Sequence, residues 1–214
     1  MLHVFKHELR LIFREPRFWI PFIIPPVILA ASQAIAISRY GVAAFEGMDG
    51  YMMLLLGCLM APMGAPLAAD SFAGERERNS LELLQLSPIA PALLFWGKLL
   101  AIMPFSIVFS LAVQLAYWAS HPSLSRGEAF SACVGALSAS LLVNSFTLVL
   151  SLRAKTVRSA TQASLFLIVP LLLLVQFGYG IFFANPGIPF AILLGSVAVS
   201  VGVMAVSFRR FCTL

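Results

Sequence analysis

The chain has 214 residues, 60% hydrophobic and only 11% charged, with a net charge of +5. A soluble domain of this length is roughly half apolar and about a quarter charged, so this composition excludes one. It reads as a single membrane domain over residues 1–214, with no room for a separate soluble module. Cys58, Cys133 and Cys212 are isolated from one another and belong to no CxxC or Cys/His cluster, which argues against a zinc site or a disulfide framework.

Residues 2–15 read as an amphipathic helix. At about 100° per residue, Leu2, Phe5, Leu9, Ile12 and Phe13 share one arc, while Lys6, Arg10, Arg14 and Arg17 share the other with His3 and His7; Val4 and Leu11 break the pattern. An apolar arc beside a basic arc suits a helix lying in the headgroup layer; the plainer alternative is a basic flank that sets topology. Cleavage as a signal peptide at Ala34-Ile35-Ala36 is not expected, because the basic part runs to Arg17 and carries its own helical pattern.

Six spans follow. The first is Phe18–Ser38, with Pro21, Pro25 and Pro26 crowding its start and Gln33 in its second half. Tyr51–Ala69 is the second, and Pro62 and Pro66, four apart, predict a kink. Ala92–Ala119 is the third, with Lys98 near its start, Pro104 and Gln114 within, and Tyr117 and Trp118 at the far end, where an interfacial aromatic belt would place them. The fourth, Ala129–Leu152, is rich in Ser, Gly and Ala, which let helices approach closely, and contains Asn144. A basic hairpin, Arg153–Arg158, leads to the fifth, from Ser159 to about Val175. Residues 176–189, QFGYGIFFANPGIP, are apolar but dense in Gly and Pro, and predict a re-entrant segment of short outer-side helices rather than a plain loop. Phe190–Phe208 is the sixth.

Between the second and third spans lies Gly74–Pro88, GERERNSLELLQLSP. Five charges, Glu75, Arg76, Glu77, Arg78 and Glu82, fall there within eight residues, so the stretch belongs in water. It predicts a helix over 74–86, charged at its start, with Leu81, Leu83 and Leu84 toward its end and Ser87-Pro88 as its stop. With the N-terminus inside, twelve Lys and Arg fall on or near the cytoplasmic side, and only Arg39 and Arg126 outside. That asymmetry places both termini and the charged helix in the cytoplasm.

No catalytic constellation is evident. His3, His7 and His121 lie in flanks or loops, and neither HExxH nor a GxxxxGK[ST] phosphate loop occurs. The spans carry amides rather than ionisable groups: Gln33, Gln114, Asn144 and Gln162. Each is read either as an interhelical hydrogen bond, worth about 0.6 kcal/mol, or as part of a translocation path for which Gln33, Gln114 and Asn144 are the candidates. Energy is then expected from outside the bilayer.

The segment AADSFAGERERNSLELLQLSP, with the following Gly97-Lys98 pair, resembles the signature of ABC-2 type transporter permeases, in which an acid ends the second span and a G-E-R-E-x-G-[TS]-L-E-x-L-L-x-[TS]-P segment follows. Here Asn79 replaces the usual Gly, and Ser80 stands where Thr is frequent. The resemblance implies an all-α, polytopic fold of the type V exporter kind: six transmembrane helices, an N-terminal interfacial helix (Phe5, Lys6, Leu9, Arg10, Ile12, Phe13, Arg14), a cytoplasmic coupling helix, and short outer-side helices between the last two spans. It also implies two permease chains, identical or related, with two ABC ATPase subunits that bind ATP and Mg; this chain itself is expected to hold no cofactor or metal and to have no catalytic residue. Glu75, Arg76, Glu77, Arg78, Ser80, Leu81, Glu82, Leu83 and Leu84 would contact the ATPase, the charges on its surface and the leucines in an apolar groove. The implied place is the inner membrane of a prokaryote. An amphiphilic cargo fits the short outer loops and the absence of a charged ring. Two alternatives stay open: a subunit like the haem-exporter B protein of cytochrome c maturation, which shares the S-L-E-x-L-L-x-S-P segment but usually lacks the E-R-E-R run, and a membrane scaffold without transport.

Overall fold

The computed structural model describes residues 35, 38, 48–80, 90–121, 123–185 and 187–211. Among them every regular element is a helix: α1 (Asp49–Met60), a 3-10 turn (Ala61–Gly64), α2 (Ala65–Glu77), α3 (Pro91–Ser120), α4 (Arg126–Arg153), α5 (Val157–Ala184) and α6 (Gly187–Phe211). α1, the 3-10 turn and α2 make one rod of 29 residues, and five rods among the described residues are long and apolar enough to cross a membrane. The interfacial helix over 2–15 and most of the first span, Gln33 included, lie outside the described residues; Ile35 and Ser38 are helical.

The kink expected at Pro62 and Pro66 takes the form of the 3-10 turn. Neither proline has an N–H to continue the α pattern. The backbone answers with tighter bonds, Ala61 N–H to the Cys58 carbonyl and Ala65 N–H to the Pro62 carbonyl, so the interruption leaves these carbonyls paired, as a medium without water demands.

α4 is the axis of the bundle and packs against every other rod. Its buried face is built of small residues, among them Ala132, Gly135, Ala136, Ala139 and Ser140, which is why all four other rods can approach it. It opens with a reciprocal cap: Ser125 Oγ accepts from Glu128 N–H at 3.2 Å, and Glu128 Oε2 accepts from Ser125 N–H at 3.1 Å. One apolar cluster joins α2, α3 and α4 around Phe72, Phe95, Leu99 and Leu148. A second joins α1, α3, α4 and α5 around Met53, Leu54, Cys58 and Phe182.

The expected outer-side short helices are not what residues 176–189 form. Residues 176–184 are the last turns of α5, which runs unbroken to Ala184, and the chain turns only at Asn185 before α6 begins at Gly187. Glycine in a helix costs about 1 kcal/mol relative to alanine, whereas an unpaired backbone group in hydrocarbon costs several, so Gly178 and Gly180 do not break the rod. Pro189 falls in the first turn of α6, where its missing N–H has no partner to lose.

Candidate functional site at the end of α2

The charged segment begins differently from the helix expected over 74–86. Gly74–Glu77 are the final turn of α2, continuous with the second span. A rod of 29 residues is about 43 Å long at 1.5 Å per residue, well beyond a hydrocarbon core of about 30 Å, so its last turns can carry charge without entering lipid. Residues 81–89, and with them Leu81, Glu82, Leu83 and Leu84, lie outside the described residues.

α2 ends in a Schellman motif. Ser80 N–H donates to the Glu75 carbonyl at 2.9 Å and Asn79 N–H to the Arg76 carbonyl at 3.1 Å. Asn79 has φ 56°, the left-handed conformation that glycine adopts freely and asparagine tolerates best among the other residues. The replacement of Gly by Asn at this position of the signature therefore preserves the turn.

Two side chains of this last turn tie α2 to its neighbours. The Arg76 guanidinium donates to the Leu152 carbonyl at 2.7 Å, and also to the Ala154 carbonyl, at the C-terminal end of α4. Glu77 Oε1 accepts from Val157 N–H, the first residue of α5, at 2.8 Å. Both signs suit the helix dipole, a cation on orphan carbonyls and an anion on an orphan N–H, worth about 0.3–1 kcal/mol each. The other described charges of the stretch, Glu75 and Arg78, are also engaged. Glu75 accepts from the Ser80 hydroxyl, and Arg78 pairs with Asp70 at 3.4 Å. That last pair contributes little, because the Arg78 side chain is 58% exposed. Of the described residues expected to meet the ATPase, Arg76 and Glu77 are tied to other helices of this chain, and both Glu77 and Arg78 stay exposed.

Gln114 and Asn144 belong to a buried polar seam. On α3, Lys98, Ser106, Ser110 and Gln114 follow one inclined ridge at multiples of four and are all buried. Lys98 Nζ donates to the Ser71 carbonyl at 2.9 Å and lies 5.3 Å from the Phe72 ring centre. Ser106 Oγ accepts from Gly64 N–H at 2.9 Å, and Ser110 donates to the Gly57 carbonyl at 3.1 Å. Gln114 Nε2 donates to Met53 and Ala132 carbonyls at 3.2 and 3.1 Å, joining α1, α3 and α4. Asn144 Nδ2 donates to Ser106 Oγ and the Ser140 carbonyl, both at 2.8 Å. As the α3 number rises, its partner's number falls, which is the register of an antiparallel pair. Gln33 lies outside the described residues, and the other two path candidates, Gln114 and Asn144, make interhelical hydrogen bonds. Lys98 was visible in the sequence only as a charge near a helix start; its repeat with Ser106, Ser110 and Gln114 was the signal that could have found its role.

Among the described residues the protein is all-helical, and its five long apolar helices make it a multi-pass membrane protein. The chain belongs to the ABC-2 type transporter family, whose family model matches residues 1–194. Comparison with curated proteins returns no match. Permeases of this family are membrane components that work with an ABC ATPase.

Proposed function

We propose that the chain is the membrane-spanning subunit of an ATP-driven exporter in the cytoplasmic membrane of a prokaryote. Two copies, or this chain and a related one, join two ABC ATPase subunits that bind ATP and Mg. The cargo is amphiphilic. Charge supports the orientation: Arg76, Arg78, Arg153, Lys155 and Arg158 gather at the Glu77 end of the bundle, against Arg126 at the Asp49 end, which fits a cytoplasmic Glu77 end and cytoplasmic termini.

The observation that carries this reading is the bridging of α2 to α4 and α5 by Arg76 and Glu77. Leu81, Leu83 and Leu84 seat in an apolar groove of the ATPase, with Arg78 and Glu82 at its rim. Closure of the ATPase pair on nucleotide moves this segment. The movement enters the bundle at the turn on Asn79, and the two bridges spread it to α4 and α5 at once.

The test is co-expression with an ABC ATPase of the same genome and purification of the complex. The ATPase is expected to copurify, and the L81A/L84A pair to insert normally while the ATPase loses its response to the permease. Arg76→Ala should keep the complex and its ATP hydrolysis but lose the ATP-driven distance change between spin labels on α2 and α5. No copurifying ATPase, or unchanged coupling in both variants, would overturn the proposal.

A further inference from the structure

Among the described residues, Lys98 is the only Lys, Arg, Asp or Glu that is buried, at 2% exposure. Taking an ammonium out of water costs several kcal/mol unless its partners offset the loss. The amides Gln114 and Asn144 show that neutral side chains can join helices in this bundle, so a buried cation points to a further role. We propose that Lys98 is a positioning residue for the coupling segment. It clamps α3 to α2, so that the two stems of residues 81–89 move as one body. The inference rests on the reading of the chain as the permease of an ATP-driven exporter.

Place, packing and convergence carry it. Residues 81–89 join α2 to α3. Ser71, whose carbonyl accepts from Lys98 Nζ at 2.9 Å, lies about 9 Å inside the end of α2, and Lys98 about 11 Å inside the start of α3. The bond thus spans the two stems at matching depth. The α2 backbone runs closer to α4 and α5 than to α3. Between α2 and α3 stand Phe72 and Phe95, with ring centres 4.8 Å apart. Apolar packing is non-directional and lets helices slide, whereas a hydrogen bond to a fixed carbonyl is directional. The ammonium supplies that bond across the aromatic layer, 5.3 Å from the Phe72 ring centre, where the ring face favours a cation. Arg76 and Glu77 tie the same end of α2 to α4 and α5, also through backbone groups, and Lys98 adds α3 to that set. With the clamp, a push on 81–89 carries both stems; without it, the stems spread and absorb the push between them.

The test compares Lys98→Met, which keeps a flexible stem but removes the charge and the donor, with Lys98→Arg, which restores both. In the full chain alone, in nanodiscs and with its own cysteines replaced, spin labels go on Arg78 and Ala92, exposed residues flanking the segment. They are expected to give one narrow distance distribution, broadened in Lys98→Met and narrow again in Lys98→Arg. In the unlabelled complex the ATPase is expected to copurify with all three chains. Its response to the permease should fall about fivefold or more in Lys98→Met and return in Lys98→Arg. Lys98→Gln, with its shorter side chain, should behave as Lys98→Met and keeps the test decisive if that variant does not insert. A distribution that stays narrow in the neutral variants, an ATPase response that survives the broadening, or a loss that Lys98→Arg does not reverse would each overturn the clamp alone. An unsubstituted chain that brings down no ATPase would instead overturn the exporter reading, and the clamp's role with it.

Discussion

α4 and α5 are equally long, at 28 residues each, and both are apolar, yet they are held in opposite ways. Of the most apolar stretch of α4, 67% is buried; of that of α5, 12%. α4 lies within a lattice of hydrogen bonds from Gln114, Asn144 and Ser106. α5 is tied mainly near its ends, by Glu77 at Val157 and by the Tyr51 hydroxyl at Gln176, while its Thr161 and Ser164 donate to carbonyls of α5 itself. Polar side chains therefore lock one rod in place, and the other keeps most of its apolar stretch exposed, with a grip near each end. A bundle built this way can move α5 without dismantling its centre.

Substitutions can break or sharpen this contrast. The largest effect is expected from Gly57→Leu, because a Cβ there would already lie 2.6 Å from the Ala136 Cβ at the crossing of α1 and α4. It should cost about 1–3 kcal/mol or more, seen as lost monodispersity and a lower thermal midpoint in detergent. Gly195→Leu, in open space on α6, should change neither. Next, Asn79→Ala keeps a Cβ in the left-handed region but removes the amide that lets asparagine tolerate it, and should cost up to about 1 kcal/mol, while Asn79→Gly costs nothing; equal losses would remove the turn from the account. Gln114→Leu should then cost about 0.6–1.7 kcal/mol, against a few tenths for Ser196→Ala, whose hydroxyl donates only within its own helix. Equal shifts in thermal unfolding for these two would erase the distinction between hydrogen bonds across helices and those within one. Last, Phe177→Ala on α5, 81% exposed, should stay within about 0.5 kcal/mol.

Much of this architecture was legible from residues alone. Apolar run lengths located the described rods to within a few residues, except that α5 continues past Val175 and α2 past Ala69. Both misreadings share a cause. Glycine, proline and charge were read as breaks, but a helix keeps its hydrogen bonds across glycine wherever water is absent, and keeps them through charged residues once it leaves the lipid. The pairing partners of Arg76 and Glu77 were not legible, because they are backbone groups some 80 residues away, and a sequence shows backbone acceptors everywhere alike. What it did offer was a basic hairpin, Arg153–Arg158, between two spans, whose flanking helix ends had to find partners somewhere.

The hairpin between α4 and α5 bears on how the chain is made. Its exposed peptide groups are completed by Arg76 and Glu77, which leave the ribosome long before it does. When the paired rods enter the bilayer, their docking surface is already standing there. Synthesis from the N-terminus thus supplies the receptacle before the part that fits it, and a chain permuted to reverse that order would have to insert the hairpin with its ends unmet.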